Sequence, residues 1–109
     1  MAFKSVATAN IGTGSTQVSD TVSSSTVHTI IGFSVSNITG NAITVTATVS
    51  KNAGNTAYMV KGATVSSGGA IVIVGGDQKV VLEEGDTMNV LTDTATSADA
   101  IVSYLSSSA

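Results

Sequence analysis

The side chains able to do chemistry are few in this chain, and each is weighed singly. His28 is the one residue that titrates near neutral pH. Serine and aspartate are so plentiful that a Ser-His-Asp relay around His28 matches by abundance alone, and no Gly-x-Ser-x-Gly elbow occurs. The expectation is a strand histidine on the face opposite Phe33, partly exposed or at a subunit contact. Asp77, Glu83, Glu84, Asp86, Asp93 and Asp99 offer oxygen ligands of the kind Ca²⁺ takes, but without the spacing of a ligand loop. Glu83 to Asp86 reads as a solvated turn whose aspartate bonds its own backbone. No metal and no cofactor is expected.

Two further motifs carry little. Gly75-Gly76-Asp77-Gln78-Lys79 has the glycines and lysine of a phosphate loop, but not Walker spacing, and it leads into a strand instead of a helix N-terminus. Asn37-Ile38-Thr39 matches the glycosylation acceptor pattern, and Asn37 is read as a turn former.

Composition narrows the class. The chain has 109 residues, of which 10% are charged, with no cysteine, tryptophan or proline. Sixteen serines, sixteen threonines, fifteen valines and eight isoleucines stand against three leucines and no arginine, which disfavours helix and suits a pleated sheet. The net charge is −3, and the four lysines (Lys4, Lys51, Lys61, Lys79) are scattered. Clustered cations to neutralise phosphates are missing, so no nucleic-acid partner is expected. The apolar run Gly69 to Gly75 is far short of the roughly 20 residues that span a bilayer, and the N-terminus lacks a leader pattern, so neither membrane insertion nor classical secretion is expected. With one imidazole, no thiol and few acids, the chain is not expected to be an enzyme. A thin core without disulfides points to oligomerisation as the source of cohesion.

The elements that must position these residues are strands. In Ala42 to Ser50, Ile43, Val45, Ala47 and Val49 alternate with threonine and serine, a half-buried strand. Val27 to Ser36 alternates as well, and the turn residues Asn37 to Asn41 predict an antiparallel hairpin between the two. Thr56 to Lys61 continues a meander after the turn Lys51 to Asn55. Ala70-Ile71-Val72-Ile73-Val74 is apolar on both parities, so it needs cover on both faces. Further strands are expected at Lys79 to Leu82, Thr87 to Leu91 and Ala100 to Leu105, the first two joined by Glu83-Glu84-Gly85-Asp86 with Gly85 in the left-handed position. Phe3 to Ile11 has strand character, but Met1 to Thr26 as a whole reads as an irregular N-terminal arm. Seven to nine strands with turn signals and no helical period describe one all-β domain, an antiparallel sandwich or closed barrel. Ile71, Val72, Ile73, Val74, Val80 and Leu82 exceed what one face of a thin sandwich buries, and are the candidate subunit interface.

The run Val74-Gly75-Gly76-Asp77-Gln78-Lys79-Val80-Val81-Leu82-Glu83-Glu84-Gly85-Asp86, with Asn89-Val90 and Ser97 to Leu105 after it, resembles small virion structural proteins of tailed bacteriophages, especially those of marine bacteria and cyanobacteria. The pairing of Thr29-Ile30-Ile31-Gly32 with Ile43-Thr44-Val45 fits the same pattern, and the likeness spans Val27 to Leu105. The resemblance implies a jelly-roll β-sandwich that multimerises on a phage particle, in the best-known case as a homotrimeric capsid decoration, or cement, protein assembled in the host cytoplasm. A neck, tail or fibre component is the alternative within that class. A receptor- or carbohydrate-binding module using Tyr58, Asn52, Asn55 and Asp93 is the alternative outside it.

Overall fold

A computed structural model describes all 109 residues and contains strands and turns without a helix. Nine strands follow in order: β1 (Ala2–Ile11), β2 (Thr16–Gln17), β3 (Thr26–Asn37), β4 (Ile43–Ser50), β5 (Thr56–Val65), β6 (Ala70–Val74), β7 (Val80–Leu82), β8 (Thr87–Thr92) and β9 (Ala98–Ser108). They form two antiparallel sheets packed as a sandwich, one ordered β1-β9-β3-β6 with β7 also on β3, the other β2-β8-β4-β5. The sandwich expected from the alternating valine and threonine is present.

The wiring is one long hairpin. Its tip is the turn between β4 and β5, and its arms pair strand by strand outward from there: β4 with β5, β3 with β6 and β7, β2 with β8, β1 with β9. Successive rungs fall alternately in the two sheets. The two sheets are completed by the added pairs β3 with β9 and β4 with β8.

That wiring corrects the expected hairpin of β3 with β4. Asn37 to Asn41 carries the chain from one sheet to the other, and both strands pair elsewhere. Asn37 makes the arch: its amide nitrogen donates to the carbonyls of Asn41 (2.7 Å) and Val65 (3.0 Å), and its Oδ1 accepts from Thr39 N–H and hydroxyl. It is buried, and its amide is consumed in turn formation, as its reading as a turn former requires. Likewise β6 and β7 are one broken strand. Both lie antiparallel along β3, at Phe33–Ser36 and at His28–Ile30, with Gly75 to Lys79 looping out between them.

Between the sheets lies one core, including Ile30, Phe33, Val35, Val45, Val74, Leu82, Met88, Val90 and Val102. Each such side chain contributes about 1.5–3 kcal/mol over its exposed state. Bulges decide which residues reach it. In β3 the register against β9 shifts between Ile30 and Gly32, so His28 and Ile30 point inward on one side of the bulge and Phe33 and Val35 on the other. In β5 the register against β4 shifts beside Gly62, whose φ of 63° suits glycine, and whose N–H donates to Thr46 Oγ1 at 3.0 Å.

The N-terminal segment is not an irregular arm. β1 pairs with β9 over its whole length, and its only break is beside Asn10, at φ 60°. Val18 and Val22 are buried, so the loop after β2 closes one end of the sandwich. The short outward side chains Ser5, Ala7 and Ala9 of β1 and the serine-rich loop after β2 hide this order from a composition reading.

Candidate functional site

His28 sits inside, not on the face opposite Phe33. The bulge at Ile31-Gly32 reverses the parity, and the imidazole is 5% exposed. It stacks on Tyr104 with ring centroids 4.3 Å apart, and its Nδ1 has no hydrogen-bond partner in the protein. Burial holds the imidazole below its ordinary pKa, Asp20 opposing and Lys4 assisting. The Tyr104 hydroxyl donates to Asp20, and burial, with that bond, pushes the phenol up to about 12. Asp20 thus serves the phenol, and together the three side chains tie the end loop to β3 and β9.

The carboxylates are spread out, and no three of the potential ligands His, Cys, Asp or Glu come together as a metal site would need. Asp93 accepts from the Thr44 N–H at 3.1 Å and Asp99 from the Asn10 N–H at 3.0 Å. In the turn Glu83 to Asp86 the first three residues are exposed as expected of a solvated turn, but Asp86 is 2% exposed, which corrects that reading for the aspartate. Its Oδ2 accepts the Glu83 N–H at 2.8 Å, closing the turn on itself, and its Oδ1 accepts the Asn52 N–H at 2.8 Å. Lys51 donates to the same carboxylate and to Glu83 at 3.2 Å. Burial works to raise the Asp86 carboxyl, and the hydrogen bonds from Lys51, Asn52 and Glu83 overcome it and hold it below the ordinary value. The bond to Asp86 raises Lys51 in return. This carboxylate joins the tip of the long hairpin to the turn before β8. The one sequence signal for it was the spacing Lys51-Asn52 against Glu83-x-Gly85-Asp86, which no local pattern connects.

The four residues of the loop-binding alternative do not converge. Asn52 and Asn55 lie in the turn beyond Ser50, whereas Asp93 holds Thr44 at the far end of β4, about 20 Å away at strand rise. Tyr58 stands exposed beside Thr48 with the Lys61 ammonium 4.9 Å from its ring centre.

The candidate interface divides. Val74 and Leu82 are fully buried in the chain's own core, and Ile71, Ile73 and Val80 pack against it. A bulge between Phe33 and Ser34 in the pairing to β6 turns Val74 inward. Val72 remains outside at 69% exposure, and it belongs to a wider surface. On the outer face of the β1-β9-β3-β6/β7 sheet, cross-strand rows run Phe3–Leu105–Thr29–Val81, Ser5–Ser103–Gly32 and Ala7–Ile101–Ser34–Val72. Phe3, Ile101, Val72 and Val81, four of the chain's large exposed apolar residues, all lie there. Its one charge, Asp99, is bonded to Asn10. The outer face of the other sheet carries Thr44, Thr46, Thr48, Ser50, Thr87 and Asn89, with the half-buried Leu91 and the exposed Tyr58 among them. The first face exposes more large apolar side chains, and the second is richer in threonine. Phe3 and Ile101 escaped the sequence reading because their strands alternate apolar residues with serine and alanine on the outward side, leaving no dense run.

Compared with protein-family models, with curated proteins and with solved structures, the chain finds no match.

Proposed function

We propose that the chain is a non-enzymatic virion structural protein, a capsid decoration module that attaches to the shell by the outer face of its five-stranded sheet. The observation that carries this reading is the contrast between the two outer faces: one exposes Phe3, Ile101, Val72 and Val81 with its single charge engaged, and the other is mostly threonine with Tyr58 as its one strongly exposed large apolar side chain. A large exposed apolar patch on a small domain marks an interaction surface. A module held by many copies on a lattice needs only modest contacts per copy, because linked sites raise the effective concentration. The nested strand pairing supports a jelly-roll assignment, with β6 and β7 counted as one interrupted strand among eight.

The test is binding to particles. Pelleting of purified chain with phage shells, wild type against Ile101→Asp and Val72→Asp, reads the face directly. Both positions point to water, so the variants fold. The reading expects loss of at least about tenfold in affinity, as for an anchor residue in an apolar contact. Unchanged pelleting of both variants, or none by the wild type, overturns it. Imaging of decorated particles separates the head from the neck, tail and fibres.

A further inference from the structure

β1 carries the longest unbroken free strand edge in the molecule, Ala2 to Thr8 in one register against β9. In the other sheet the edge strand β2 has two residues and the ten-residue edge strand β5 is broken by register shifts beside Gly62, whereas β1 shifts only after Thr8. It has no proline, and its only charged side chain is Lys4. Ala2 to Ser5 are exposed, so this half of the strand is held by β9 alone.

We infer that β1 pairs antiparallel with β1 of a second copy, forming a two-fold dimer in which the apolar sheets join edge to edge. Side-chain alternation and burial limit the register. Phe3, Ser5, Ala7 and Ala9 face outward, and opposed residues of an antiparallel pair share a face, so outward residues must oppose outward residues. Overlap of Ala2 to Asn10, which leaves the core residue Ile11 outside the pair, puts Val6 on the two-fold axis, Lys4 opposite Thr8 of the partner subunit, and Phe3 opposite Ala9 of the partner subunit. Two features make this register self-complementary. The outer face holds a shallow dish of about 220 Å³ lined by Ala7, Ala9, Ser34, Ser36, Asp99 and Ile101. A cavity of about 150 Å³ admits a benzene ring, and an aromatic side chain reaches its diagonal neighbours across a strand pair, so the 75%-exposed Phe3 of each copy fills the dish of the other. The two lysines lie four residues apart along the strand, about 13 Å, beyond the screening length of about 10 Å at 0.1 M salt. Pairing β1 with β1 uses up both edges and closes at two copies, not the three that the family resemblance implies.

The experiment is sedimentation equilibrium of the full chain over a range of concentrations, joined to cross-linking. The wild type is expected at twice the 10.8 kDa chain mass. Phe3→Ala, a change of an exposed side chain, is expected to weaken the dimer at least about tenfold. Val6→Cys is expected to form a disulfide-linked dimer under mild oxidation, since opposed Cα atoms 4.5–5.5 Å apart suit a disulfide, whereas Ala2→Cys is expected not to. In the charge test, T8K loosens the pair by facing Lys4, and K4E/T8K restores it. A monomer at high concentration, a trimer, or a dimer indifferent to both Phe3→Ala and Val6→Cys overturns the proposal. The inference stands apart from the virion reading: a dimer that never binds particles removes that reading and leaves this one intact.

Discussion

Removal of the Asp86 carboxylate by Asp86→Ala strips the acceptor from two backbone N–H groups, those of Asn52 and Glu83, each bonded at 2.8 Å. A hydrogen bond to a charged group contributes about 1.5–3 kcal/mol. The Lys51 pair adds little, because its ammonium is 41% exposed and water takes over, which leaves about 0–1 kcal/mol. The lower ends sum to about 3 kcal/mol. At an unfolding entropy of about 2.1 cal/mol/K per residue, the 109-residue chain should melt about 13 °C lower. Urea unfolding followed by far-UV circular dichroism, with the slope unchanged, reads the same loss. The effect is pH-dependent with a definite sign. A carboxyl held below its ordinary value stabilises the fold fully above the unfolded carboxylate pKa near 3.9, and the contribution drains away as pH falls through the lower folded value. The gap between wild type and Asp86→Ala therefore narrows as pH falls below about 4. A variant within about 0.5 kcal/mol of wild type at pH 7, or a gap unchanged at pH 2, would refute the reasoning.

Gly85→Ala combines a φ of +82° with a Cβ that would lie 2.5 Å from Asn52 Nδ2, and is expected to cost about 2 kcal/mol in chemical unfolding; Asn52→Ala removes the contacts to Nδ2 and Cγ but leaves its own Cβ 2.8 Å away and the backbone strain in place. Tyr104, pushed up to about 12, contributes stability fully below the ordinary phenol value near 10, and loses it as pH rises from there to 12. Melting temperatures should accordingly fall more steeply across that window for wild type than for Tyr104→Phe. Asn37→Ala leaves the carbonyl of Val65 and the Thr39 N–H without partners inside the arch, and is expected to cost about 2–3 kcal/mol by the same melting assay.

Where alternation runs unbroken, the strands were legible, as in β4, whose Ile43, Val45 and Ala47 all reach the core. The Gly85 turn was legible too, since only one backbone region fits it. A count of period two cannot register a bulge. One extra residue at Ile31-Gly32 sent His28 inward, and another in the β3–β6 pairing sent Val74 inward, dividing the candidate interface between core and surface. Partner choice was equally hidden: Asn37 to Asn41 has hairpin composition, yet its side-chain bonds bend it into an arch between sheets. The apolar face was illegible for a related reason, because its rows draw one residue from each of four strands far apart in sequence.

Electron cryomicroscopy of particles made with and without the chain tests the central claim most directly. The account predicts added density at regular positions on the shell, one sandwich per copy, with the Phe3–Ile101–Val72 face turned toward the capsid and the threonine face toward solvent. Particles without that density, or density presenting the threonine face to the shell, would contradict it.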